Sequence, residues 1–80
     1  MTTNTVAKAW GAEIKRARES KPFCMSRAQL ADHLGVSRQM VRNWEKGINA
    51  PSSRMQGKLI AEMGLDPVRV ANLIQRGAAA

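Results

Sequence analysis

Eighty residues make one small domain, which buries about 60% of its unfolded surface and leaves little room for a deep catalytic cavity. Hydrophobic residues at 44% and charged residues at 24% exclude a disordered chain, while thirteen Lys and Arg against six Asp and Glu give a net charge of +7 and direct attention to a polyanion. One cysteine, Cys24, rules out an internal disulfide, and one histidine, His33, forms no zinc cluster with it.

No alternating run of β-branched or aromatic residues predicts a strand, so the chain is expected to be all-α. The first helix is predicted from about Val6 to Ser20, with Ala7, Trp10, Ile14 and Ala17 on one face, and Pro22 stops it. Ser26 is placed to cap SRAQLADHLG, where Leu30, Ala31 and Leu34 form an apolar stripe and Gly35 supplies the left-handed residue that ends a helix. Only Gly35, Val36 and Ser37 precede the third helix, which Ser37 caps and Gly47 closes, and which runs from Arg38 to about Lys46. Two helices joined by so short a turn meet at a steep angle and share a core. After NAPSS, a fourth helix from Ser53 to Met63 turns Met55, Leu59, Ile60 and Met63 inward and ends at Gly64. Asp66 before Pro67 reads as an N-cap with proline at the first helical position, so DPVRVANLIQRG forms a fifth helix with Val70, Leu73 and Ile74 apolar. One domain over residues 1–77 follows, with a frayed tail at 78–80.

The third helix carries the functional signal. On a helical wheel Met40, Val41 and Trp44 fall in one wedge, while Arg38, Gln39, Arg42, Asn43 and Lys46 fall on the opposite side. Arg presents two parallel donors that fit guanine O6 and N7, and Gln or Asn both donates to and accepts from adenine. A merely solvated helix face carries Glu and Lys in intrahelical pairs instead. The turn fits the same purpose: Ala31 keeps the second helix narrow where the third crosses it, Gly35 permits the reversal, and Val36 and Val41 fill the angle.

SRAQLADHLGVSRQMVRNWEKGINAPS resembles the Cro and phage-repressor type of helix-turn-helix domain, the lambda-repressor-like fold. LAxxLGVS, VxxWExG and a Pro-Ser start to the next helix carry the likeness, which extends from about Ile14 through the fifth helix. The resemblance implies a compact bundle of about five short helices that binds double-stranded operator DNA as a homodimer and regulates transcription, most often as a repressor. It implies that Arg38, Gln39, Arg42 and Asn43 face the major groove, and that Ser37 touches a phosphate or a thymine methyl. Arg27 stands where the family commonly has a phosphate-binding glutamine, and Lys46, Asn49, Ser52, Ser53 and Arg54 lie in or near a loop that runs along the sugar-phosphate backbone. Arg18 and Glu45 match a family ion pair between the first and third helices, and so join Ala31, Gly35, Val41 and Trp44 in the scaffold. This chain departs from the pattern in SKPFCM, longer than the usual connection, and in Met40, which stands where Ser, Thr or Gly is common. Met40 either packs at the edge of the wedge, the preferred reading, or touches a thymine methyl.

Other residues have plainer readings. Trp44 belongs to the core rather than to a nucleotide-stacking platform, Trp10 is core or partner-facing, His33 is a solvent-exposed side chain, and Cys24 is a small apolar residue. Lys8, Lys15 and Arg16 either assist DNA binding or keep the domain soluble. Val68, Val70, Leu73 and Ile74 are the candidates for a dimer surface. There is no signal-peptide-like apolar run and no stretch near the ~18 residues of a membrane span, so a cytoplasmic protein without a membrane, cofactor, metal or small-molecule partner is expected. An enzyme is disfavoured by the lack of paired carboxylates at helical spacing and of a glycine-rich phosphate loop. The rival is an antitoxin-like module that binds a partner protein as well as its own promoter.

Overall fold

Helices of two or three turns leave a large share of their amides and carbonyls unpaired at the ends, so caps decide where they start and stop. The computed structural model describes residues 3–79 and contains α1 (Thr3–Glu19), α2 (Arg27–Leu34), α3 (Arg38–Glu45), α4 (Ser53–Met63) and α5 (Pro67–Ala79), with no strand among the described residues. Ser26 Oγ accepts from the Gln29 amide at 3.1 Å, and the Gln29 side chain accepts from the Ser26 amide at 2.8 Å, a reciprocal capping box that starts α2. Ser37 accepts from the Met40 amide at 3.1 Å to start α3, and Ser52 from the Met55 amide at 3.3 Å to start α4. Asp66 Oδ1 accepts from the Val68 amide at 2.9 Å ahead of Pro67.

The C-terminal ends are closed by left-handed residues. Gly35, at φ 73°, lets Val36 N–H donate to the Ala31 carbonyl at 3.0 Å; Gly47, at φ 75°, lets Ile48 N–H donate to the Asn43 carbonyl at 2.9 Å. Lys58 reaches from α4 to donate to the Leu34 carbonyl at 2.9 Å, which sets a positive charge at the negative end of α2.

The helices deviate from the sequence-based bounds at four ends, α1 stopping at Glu19, one residue short of Ser20. α1 begins at Thr3, ahead of Val6, because no glycine or proline interrupts the chain there. α3 ends at Glu45, with Lys46 as its cap. α5 continues past Gly77 to Ala79 where a tail from residue 78 was expected: one glycine costs a helix only about 1 kcal/mol, and alanine is the best helix former. Residue 80 lies outside the described residues.

α1 is the spine of the bundle. It packs on α3 and α5 and touches α4, while α2 packs on α3. Ile14, Leu30, Leu34, Val41 and Leu59 are sealed at the centre, with Trp10, Trp44, Met63, Leu65 and Val70 around them. Val70 is therefore consumed by the core, and Leu73 and Ile74 pack partly against it; of the four residues expected at a dimer surface, only Val68 is well exposed, at 63%.

Two features of α1 went unread in the sequence. A Cβ on Gly11 would collide with the Trp44 carbonyl oxygen and lie 3.1 Å from Glu45 Cα, so the absence of a side chain is what lets α1 lie directly on the backbone of α3. Glu13, 1% exposed, accepts from Arg16 Nη2 at 2.6 Å, Arg69 Nε at 3.2 Å and the Asp66 amide at 3.2 Å, which ties the start of α5 to α1. Burial alone would raise its pKa, but the hydrogen bonds from Arg16 and the Asp66 amide, together with the charges of Arg16 and Arg69, outweigh burial and hold the carboxyl below its usual range.

Gly11→Ala is expected to lower stability by about 1–3 kcal/mol, the usual range for overpacking a closed interface, as read from the urea midpoint. Because the carboxyl of Glu13 is more acidic folded than unfolded, its contribution is present above its unfolded pKa and disappears as the pH falls through the folded one. Glu13→Gln should therefore reduce stability at neutral pH, and the gap between variant and parent should close on acidification, measured by urea unfolding at stepped pH.

Candidate nucleic-acid interface

The turn between α2 and α3 sets the surface. Ala31, Val41 and Trp44 are at most 2% exposed, so one side of α3 is locked against the bundle. On the other side Arg38, Gln39 and Arg42 are exposed and Asn43 is half-buried. Gln39 Nε2 donates to Asn43 Oδ1 at 3.0 Å, one helical turn away, so these two amides hold each other's orientation while keeping further donors and acceptors free. Arg27, Ser37, Arg38, Gln39 and Arg42 line one open hollow of about 500 Å³ with no carboxylate in its wall. Ser37 Oγ accepts the capping bond from Met40 and still has its own proton to donate.

Behind this surface lies a buried ion cluster. The Glu45 side chain is 1% exposed and accepts from Arg18 Nε at 2.7 Å, Arg18 Nη2 at 3.0 Å and Arg27 Nε at 3.0 Å. Arg18 Nη1 also donates to the Met25 carbonyl at 2.8 Å, which pins the connection between α1 and α2. The hydrogen bonds to Glu45 are the main cause of a raised Arg18 pKa, so this buried guanidinium is firmly charged. Arg27 was read from the sequence only as a phosphate contact, and its attachment to Glu45, eighteen residues away, carries no local signature.

The segment after α3 is anchored by Pro51, which is buried and whose carbonyl accepts from Gln56 Nε2 at 2.9 Å. Lys46, Asn49, Ser52, Ser53 and Arg54 are all exposed along it. The structure separates Lys8, Lys15 and Arg16 of α1. Lys8 lies against Gly47, where a Cβ would come within 2.5 Å of its Cγ, and so flanks the loop; Arg16 is engaged by Glu13; Lys15 is exposed.

Met40 is not sealed at the edge of the wedge. It is 41% exposed and, with Ile48, Val36, Trp44 and Met55, lines a second open groove of about 570 Å³ beside α3. Core packing needs a partner on both sides of the side chain, and Met40 borders this open groove instead. Trp10 and Trp44 are buried. Cys24 is exposed in a left-handed turn at φ 46°, and His33, half-exposed, places Nε2 2.8 Å from Glu62 Oε1.

Among the described residues no group of His, Cys, Asp and Glu could hold a metal ion, and no helix is long and apolar enough to cross a membrane. Comparison with curated proteins and with solved structures returned no match. A helix-turn-helix family model does match, over residues 14–70, from Ile14 in α1 to Val70 in α5, and so takes in α2, the turn and α3 whole. That family is one of DNA-binding transcriptional regulators rather than enzymes. With the greater part of its length covered and a five-helix bundle built around the matching turn, the chain belongs to the helix-turn-helix family of the Cro and C1 type.

Proposed function

We propose that the protein is a sequence-specific transcriptional repressor that binds a two-fold operator as a homodimer, with α3 in the major groove. The observation that carries this reading is the row of Arg38, Gln39 and Arg42 on the open side of a helix whose other side is locked by Val41 and Trp44. A rigid backbone holds these flexible side chains at fixed offsets, which base recognition requires. Asn43 joins them through its bond with Gln39.

Affinity and specificity come from different residues. Arg27, Lys46 and Arg54 neutralise phosphates and release counterions, while Ser37, Asn49, Ser52 and Ser53 add neutral donors that fix the register. Lys8, held beside the loop by Gly47, extends this track from α1. A single α3 reads about four base pairs, so selectivity calls for two copies on one site. With Val70 in the core, Val68 and the open edges of Leu73 and Ile74 make a small contact surface, which supports a dimer that assembles on DNA.

Selection of bound duplexes from a random pool tests the reading. Half-sites related by a two-fold axis and one helical turn apart, ~34 Å, are expected. Gln39→Ala should relax the preference at one position of each half-site by about 1–3 kcal/mol. Arg54→Ala should weaken selected and random duplexes alike and flatten the salt dependence. Equal affinity of the parent protein for selected and random duplexes would overturn the assignment.

A further inference from the structure

Glu45 receives more hydrogen bonds than its burial requires. Arg18 alone satisfies both carboxylate oxygens, Nε to Oε2 at 2.7 Å and Nη2 to Oε1 at 3.0 Å, in the paired geometry that makes arginine the preferred partner of a buried carboxylate. Arg27 adds a third bond to Oε1 at 3.0 Å from a side chain that is itself 41% exposed. Such a half-exposed pair adds little stability, because fixing a long side chain offsets most of the gain. What the third bond does fix is geometry. Arginine has five N–H donors; Nε is taken by Glu45, and neither terminal nitrogen is engaged among the described residues. Those four donors belong to the side chain that walls the hollow shared with Ser37, Arg38 and Arg42. Three guanidinium groups and a hydroxyl around a space without a carboxylate form a seat for an anion with several acceptor oxygens.

We propose that Glu45 is a positioning residue for a DNA phosphate: from inside the bundle it holds Arg27 by Nε, so that the rest of the guanidinium, with Ser37 and the base of α3, grips one backbone phosphate. This rests on the DNA-binding reading above and deepens it. The seat couples the scaffold to the contact surface, because the carboxylate that pins α1 to α3 also aims the group that grips the strand. It also explains why an arginine serves here: it reaches Glu45 and a phosphate at once, through different nitrogens.

The test is duplex affinity against salt for the parent protein, Arg27→Lys, Arg27→Ala, Glu45→Gln and the Glu45→Gln/Arg27→Ala double variant, with helicity and melting followed by circular dichroism. Removing a negative charge beside a polyanion should by itself tighten binding. Positioning gives the opposite sign: Glu45→Gln should bind several-fold more weakly in the parent background and lose that effect in the Arg27→Ala background. Arg27→Ala should bind roughly tenfold more weakly, the loss of one charge-assisted hydrogen-bond pair, and lower the salt slope by about 0.9. Arg27→Lys should keep the slope yet bind nearly as weakly as Arg27→Ala, since an ammonium lacks the fork. Tighter binding by Glu45→Gln, or parent-like binding by Arg27→Lys, would overturn the proposal. If Glu45→Gln does not fold, Arg27→Lys decides alone. Inorganic phosphate at matched ionic strength should compete no better than chloride, and specific displacement would overturn the duplex assignment by placing a free anion in the seat. A parent protein that binds no duplex sinks the DNA-binding reading itself, a result distinct from normal duplex binding by Arg27→Ala, which sinks only this inference.

Discussion

Everything that presents α3 depends on how closely α1 lies against it. Three contacts run along that crossing. Gly11 rests on the Trp44 carbonyl, Lys8 lies against Gly47, and Arg18 grips Glu45. Each is intolerant of added bulk or lost charge in a different way, and together they fix the depth, end and rotation of an eight-residue helix. A helix that short has almost no stability of its own. Its orientation is a property of the helix beneath it.

The caps complete that dependence. α2 and α3 are each eight residues long, so a large fraction of their amides and carbonyls would be orphaned without Ser26, Gln29, Ser37, Gly35 and Gly47. Ser37 is the economical case, because the residue that starts α3 also lines the hollow beside Arg38 and Arg42. The same position ends the turn, begins the helix and presents a hydroxyl outward.

What the sequence made legible was whatever leaves a local mark. Serines three or four residues ahead of apolar periods, glycines after them and proline behind aspartate located the helices to within a few residues. Spacings of three and four marked Trp10, Ile14 and Ala17 as one face. What stayed hidden was made by contact across the chain. Gly11 sits mid-helix, where a glycine reads only as a weak helix former, and nothing near it announces the backbone of Trp44. Glu13 looks like an ordinary i, i+3 partner of Arg16, yet its second arginine and its amide donor come from more than fifty residues away. Of the candidate site, the row on α3 followed from the wheel, since one buried stripe implies an open opposite side. The tie of Arg27 to Glu45 did not, because a pattern of residue types records which groups are present but not which of them share a partner.

The placement of four of the six carboxylates bears on how a charge of +7 acquires a direction. Glu13 and Glu45 are buried among arginines, so the negative charge that the fold needs internally is hidden from solvent. Glu62 faces His33, and Asp66 caps α5. Neither borders α3. The hollow at Arg27, Arg38 and Arg42 has no acidic residue in its wall, and the segment from Lys46 to Arg54 contains none at all. Positive potential therefore concentrates where α3 opens to solvent, although the cations themselves are scattered along the sequence. A protein that needed only solubility from its charge would gain nothing from this partition, whereas one that must approach a polyanion in a single orientation requires it.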